Sequence, residues 1–355
     1  MRAHITLKSR WIHRFCGSLV LGFLSIFIAA GLSSAKDNSK HFPKHFPKHP
    51  PKQISCGAFI TTDTKLTRDL NCDLYDLGPA LTVDGATLDL NGHSVIGHSG
   101  INCIEVTGGA TLKNGTVMNC KEGIIVGGDR NKVIGMIASN NDRRGFRIIS
   151  GNENRLYKCS ARENGRKGFT IEAGEYNFLE KCSAEENGQE GFSIEPGDYN
   201  RLEKCSATNN GRQGFRIEGE FNKIIKSEAK ANCRDGIEVN AGNNNLVVNN
   251  LVEDNGNQET CDEQGGGDFN PQAYAGIDVT NGSNNNEIKY NSACGNVGCV
   301  PCYDELGEPT CKERERNYWD ENADDLGDSV STNVWEKNRV NCRNVKPEFS
   351  HLPVD

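Results

Sequence analysis

Gly145-Phe146-Arg147-Ile148 recurs as Gly168-Phe169-Thr170-Ile171, Gly191-Phe192-Ser193-Ile194 and Gly214-Phe215-Arg216-Ile217, each 23 residues after the last. Gly123-Ile124 lies 22 residues before the series, and Gly236-Ile237 lies 22 after it. Within each phrase apolar and polar residues alternate. Phe169 and Ile171 share one face, while Thr170 and Glu172 share the other, which is the period of a strand. A fixed interval of this length is an internal repeat. No 3.6-residue period makes it a helical array, and no Leu-x-x-Leu-x-Leu frame makes it leucine-rich.

Other positions keep step with the phrase. Asn154, Asn177, Asn200, Asn222 and Asn245 open the following segment, and Leu156, Leu179, Leu202, Ile224 and Val247 come two residues later. Cys159, Cys182 and Cys205 come next, then Ala161, Ala184, Ala207 and Ala229, and Asn164, Asn187 and Asn210 close the unit. Leu179, Cys182 and Ala184 share one face only if the chain bends at Glu180–Lys181. Each unit is therefore two or three short strands joined by bends. One unit cannot bury its own Phe, Ile, Leu and Ala side chains, but a stack of units can. Repeated Asn at the bends suits amides that stack and bond the backbone. The fold expected is all-β, a solenoid of about nine coils, close to 43 Å long at roughly 4.8 Å per coil.

Residues 1–35 read as a signal peptide, with Arg2, Lys8, Arg10 and Arg14 before an apolar run and Ser33-Ser34-Ala35 for cleavage. An uncleaved anchor is the alternative. Residues 36–55 form a linker in which His-Phe-Pro-Lys is repeated, and proline at this density favours an extended spacer. Its His and Lys side chains also suit a metal or a wall polyanion. Residues 56–296 are the solenoid, and residues 297–355, with Tyr318-Trp319-Asp320, Trp335 and Cys342, are a Cys-containing cap over the last coil.

The whole chain carries a net charge of −8, and residues 253–355 hold 21 acidic against 8 basic side chains. Such a surface disfavours nucleic acid, and anionic membrane once the signal is removed. The chain has 15 cysteines, one of them in the leader, so an even set remains for an oxidising compartment. Cys56 and Cys72 flank the start of the solenoid and are expected to staple an N-terminal cap. Cys299-x-x-Cys302 with Cys311 reads as disulfide material, with zinc the alternative. Cys159, Cys182 and Cys205 are expected to be buried free thiols. Asn114-Gly115-Thr116 and Asn281-Gly282-Ser283 are glycosylation sequons if the source is eukaryotic.

With its Gly-Phe-x-Ile, Asn-x-Leu and Cys/Asn-x-Ala frame over residues 80–296, the chain resembles the parallel β-helix repeat proteins of the pectin-lyase-like superfamily. The resemblance implies a single-stranded, right-handed parallel β-helix with disulfide-stapled caps. It implies less about activity, because that superfamily spans lyases, epimerases, glycoside hydrolases and non-catalytic adhesins. Neither a Gly-His-Gly plus Arg-Ile-Lys set nor an Asp-Pro-His-Asp motif occurs. No family catalytic residue is carried over.

The candidate residues come from the outward face of the repeated strand. Its first column is Arg147, Thr170, Ser193, Arg216, Glu238 and Asp278, and its second is Glu172, Glu195, Glu218 and Asn240. Arg216, Glu218, Glu238 and Asp278 are the catalytic candidates, with Arg216 as base in a lyase if a metal neutralises the substrate carboxylate. Paired carboxylates also suit a retaining glycosidase or a Ca²⁺ site. Arg147, Glu172 and Glu195 are candidates for substrate binding. Asp262, Glu263 and Asp268, in an acidic loop over residues 254–274, are candidate ligands for calcium. A salt-bridged, solvated face would account for the same columns without a ligand. The functional expectation is a secreted, monomeric protein that binds or processes extracellular polysaccharide, lyase-type if catalytic. The alternative is a non-catalytic extracellular or cell-surface scaffold or adhesin.

Overall fold

The computed structural model describes residues 54–256, 275–296 and 332–339, together with the backbone of strands Val297–Tyr303, Pro309–Glu315 and Tyr318–Asp320. The expected signal peptide, most of the linker, and Asp262, Glu263 and Asp268 lie outside the described residues.

The repeat builds one coil per unit. In the coil that begins at Gly168, strands Phe169–Ile171, Phe178–Glu180 and Ser183–Glu185 come one after another. Each pairs in parallel with its equivalent one repeat away, as Phe169 does with Phe146 and Phe192. The first strands form an eleven-stranded sheet in chain order, from Ala58–Ile60 to Tyr318–Asp320. The fold is an all-β, right-handed parallel solenoid of about nine turns; the repeat led to the solenoid, and the family resemblance implied its hand.

Three corners per coil use backbone that most residues avoid. Tyr176, Lys181 and Glu186 have φ of +57°, +55° and +53°, a left-handed conformation that costs an L-residue about 1 kcal/mol. Burial of the next residue offsets that cost at each corner: Asn177, Cys182 and Asn187 turn fully inward. Lys181 stands at the bend that the parity of Leu179 and Cys182 required.

The inward residues form files along the axis. Phe146, Phe169, Phe192 and Phe215 stack with ring centroids 4.5, 4.7 and 4.9 Å apart. Asn187 Nδ2 donates to Ala161 O at 3.1 Å and to Asn210 Oδ1 at 2.9 Å, and Asn164 Nδ2 donates to Asn187 Oδ1 at 2.9 Å. In this file each buried amide bonds to the next coil, which supplies the partners a buried polar group requires. Cys159, Cys182 and Cys205 are buried free thiols, as expected. The same file begins with Met136 and continues as Ser227, Asn250, Asn291 and Asn338.

Cys56 and Cys72 form the expected disulfide. A second bridge, Cys103–Cys120, staples an early coil and was not anticipated from the sequence. Cys233 and Cys294 are disulfide-bonded as well. Beyond residue 296, strands Val297–Tyr303 and Pro309–Glu315 form an antiparallel hairpin. Strands Tyr318–Asp320 and Val334–Glu336 instead pair in parallel with Ile277–Thr280 and Glu287–Lys289. The segment expected as a cap therefore contributes a further rung, and Asn333 and Asn338 extend two of the Asn files into it. Among the described residues, no helix is long and apolar enough to cross a membrane.

Candidate functional site

The sheet of first strands presents its outward side chains in vertical columns. Register places Arg147, Thr170, Ser193, Arg216, Glu238 and Asp278 in one column, as read from the sequence. Glu172, Glu195 and Glu218 run beside it.

A third column stands on the other side, at the residue before each repeat glycine. It holds Glu122, Arg144, Lys167, Glu190, Gln213 and Asp235. It is not among the columns expected from the sequence. The signal was available one position to the left of the aligned phrase, where a charged or amide side chain recurs in every unit.

Charges on the early coils cancel through ion pairs between coils. Arg147 donates to both oxygens of Glu172, Nε to Oε1 and Nη2 to Oε2, each at 2.8 Å. That two-point bond raises the Arg147 pKa further. Arg144 joins Glu122 at 3.1 Å and Glu172 at 3.2 Å. One coil on, Lys167 reaches Glu195 at 2.9 Å, Ser193 Oγ at 3.0 Å and Glu190 at 3.4 Å. Burial works to raise the Glu190 carboxyl, but Lys167 and Arg212 outweigh it and leave its pKa lowered. Thr170 Oγ1 and Gln213 Oε1 are buried on this face with no hydrogen-bond partner among the described residues.

The balance changes around Arg216. Its guanidinium pairs with Glu218 at 2.6 Å and with Glu238 at 3.1 Å. Glu238 Oε2 also accepts from Gln213 Nε2 at 2.7 Å, and Oε1 accepts from Asn240 Nδ2 at 3.0 Å. Burial still raises the Glu238 pKa, because the opposing charge of Arg216 does not cancel it.

Asp235 stands apart from these pairs. Its carboxyl is buried, and its Oδ1 accepts the backbone N–H of Ala275 at 2.6 Å. Burial first, and the charge of Glu238 second, push its pKa up to about 7. A carboxyl in that range can give or take a proton near neutrality.

Of the catalytic candidates, Arg216, Glu218 and Glu238 meet, and Asp278 lies next to Glu238 in register. Arg216, the residue considered as a base from the sequence, donates to two carboxylates. Arg147, Glu172 and Glu195 lie on earlier coils, already engaged in ion pairs. Among the described residues, no group of three His, Cys, Asp or Glu side chains is placed to hold a metal ion. Glu218 and Glu238 each meet Arg216. The proposed loop ligands Asp262, Glu263 and Asp268 fall outside the described residues.

Residues 99–307 match the family described as "Right handed beta helix region". In structure, the chain is similar to the A-module of the mannuronan C-5 epimerase AlgE6 of Azotobacter vinelandii. The identity is 11%, the TM-score is 0.50, and the match covers 80% of this chain and 77% of that one. It is also similar to the catalytic domain of a GH87 α-1,3-glucanase in complex with nigerose, at 12% identity and TM-score 0.47, covering 81% and 60%. Pectate lyase Pel9A is similar at 16% identity and TM-score 0.39, covering 74% and 72%. At such identities the likeness is one of fold. No curated protein matches the chain.

Proposed function

Because this chain belongs to the right-handed β-helix family, we propose that its long outward sheet face binds and processes an extracellular polysaccharide, with Asp235 as the proton-transfer group. The observation that carries the proposal is the buried Asp235 carboxyl, raised to about 7 by burial and by Glu238, in a sheet of regularly spaced outward columns. A polymer of sugar rings has its own linear repeat, and such columns offer it equivalent contacts coil after coil. The Azotobacter epimerase acts on mannuronan, and that name supports the substrate class.

The chemistry proposed is lyase-type. In β-elimination from a uronate, a base removes the proton beside the carboxylate and an acid supplies one to the departing oxygen. Asp235, close to half-protonated at neutral pH, can serve either step. Arg216, Gln213 and Asn240 hold Glu238 in place and so fix the negative charge that tunes Asp235. The disulfides near the start of the solenoid fit a secreted protein, and its monomeric state belongs to the same proposal.

A second reading has its own observation. Glu172, Glu195 and Glu218 are each paired with a cation, as a binding scaffold without catalysis would have them. One experiment separates the two. Purified protein is incubated with uronate and neutral glycans, with calcium or with EDTA, while unsaturated-product absorbance and reducing ends are monitored. The enzyme reading expects absorbance to rise on a uronate polymer and to vanish in Asp235→Asn. Reducing ends without absorbance would replace lyase by hydrolase. Retention on one glycan without cleavage would leave the scaffold.

A further inference from the structure

Away from that strip, the corner before the second strand of each coil carries a different file. Gly109, Arg130, Glu153, Tyr176, Tyr199 and Phe221 occupy it in successive coils, all with φ between +54° and +74°. The last three are exposed and stacked, with centroids 5.1 Å apart for Tyr176–Tyr199 and 4.8 Å for Tyr199–Phe221. Beside them runs the strand column Lys132, Arg155, Phe178, Arg201 and Lys223.

Where the rings give way to Glu153 and Arg130, a cleft of about 710 Å³ opens. Arg130, Lys132, Glu153, Arg155, Tyr176 and Phe178 line it. Two of its features point to a ligand. Arg130, Lys132 and Arg155 make no ion pair or side-chain hydrogen bond among the described residues, whereas Arg144, Arg147, Lys167 and Arg216 on the strip are all paired. Three unpaired cations face one carboxylate in a protein that is otherwise acidic. In addition, Tyr176 is the first ring of its stack, so the ring face turned away from Tyr199 meets the cleft rather than another ring.

We infer that this cleft binds a short uronate oligosaccharide, one sugar ring lying on Tyr176 and its carboxylates meeting Arg130, Lys132 and Arg155. A pyranose ring presents an apolar C–H face to an aromatic side chain, and a guanidinium grips a carboxylate through two parallel bonds. With Gly109 at its far end, the cleft spans four coils, about 14 Å at the spacing of paired strands, which is room for two or three linked sugars. The site lies apart from the Asp235 strip and does not depend on catalysis there.

The test is isothermal titration calorimetry of the full chain with oligogalacturonate and oligomannuronate, a neutral cello-oligosaccharide of equal length, and a short single-stranded DNA. The uronates are expected to bind, the neutral sugar and the DNA to bind at least about tenfold more weakly. Arg155→Gln and Tyr176→Ala, both at exposed positions, are each expected to weaken uronate binding by about tenfold. Asp235→Asn is expected to leave that binding unchanged while turnover on the strip is lost. If either cleft variant fails to fold, Arg130→Gln serves in its place. No uronate binding, equal affinity for DNA, or binding that survives the cleft variants would each overturn the inference.

Discussion

Arg216 Nε donates to Glu238 Oε2 at 3.1 Å across consecutive coils, and the same guanidinium reaches Glu218 at 2.6 Å. One cation therefore restrains two carboxylates on the face where Asp235 is pushed toward neutrality. Removing it leaves Glu238, mostly buried, facing Gln213 and Asn240 alone. Arg216→Gln is expected to destabilise the protein by about 2 kcal/mol at pH 7, less than a fully buried pair would cost. Because burial already raises the Glu238 pKa, the loss should be smaller at pH 5 than at pH 7. Urea denaturation at the two pH values measures it.

Asn187 lies within an amide file, between Asn164 and Asn210. Asn187→Ala leaves Asn164 Nδ2 and the Asn164 backbone N–H without their shared acceptor. Orphaned buried donors cost about 1–3 kcal/mol each, so a loss of about 3 kcal/mol or more is expected. Because each coil contacts only its neighbours, hydrogen exchange should quicken in the coils around residue 187 and remain slow near residue 95.

The three stacked thiols should be chemically silent in the native protein. Burial pushes the Cys182 thiol well above its usual range, with Cys159 and Cys205 adding to the effect, and it is the thiolate that reacts. Iodoacetamide is expected to leave Cys159, Cys182 and Cys205 unmodified until denaturant is added. Peptide mass spectrometry reads the outcome residue by residue.

Asp235 gives stability a definite pH dependence. Its folded pKa lies above that of the unfolded chain, so its contribution is complete below about pH 4 and is lost as the pH rises through about 7. The melting temperature of the native protein should fall between pH 5 and pH 8. Asp235→Asn keeps an acceptor for the Ala275 N–H but cannot ionise, so its profile over that interval should be flatter. Parallel slopes for the two proteins would count against the shift.

The architecture was legible because a solenoid writes each rung in the same residues. The Phe file, the bend at Lys181 and the free thiols were all contained in the 22–23-residue interval. The left-handed corners were not, since Tyr176, Lys181 and Glu186 share no residue type that favours such backbone; only the inward residue after each corner is regular. The Cys103–Cys120 bridge was hidden because it lies in coils where the frame is loose. On the site, the two outward columns were read correctly as columns. Their pairing was not, because ion pairs such as Arg147–Glu172 and Lys167–Glu195 depend on how long side chains lean between coils. Asp235 was missed for a similar reason. Its distinguishing features are burial beside Glu238 and the approach of Ala275, 40 residues later in the chain, neither of which a sequence column displays.

The proposed function requires above all that one carboxyl on the sheet face exchange its proton near neutrality. Carbon-13 NMR of aspartate-labelled protein, with the Asp235 signal assigned by its loss in Asp235→Asn, measures this directly. The expected titration midpoint lies near 7 and moves downward in Glu238→Gln. A midpoint near 4, ordinary for an aspartate, would contradict it and leave the strip without its proton-transfer group.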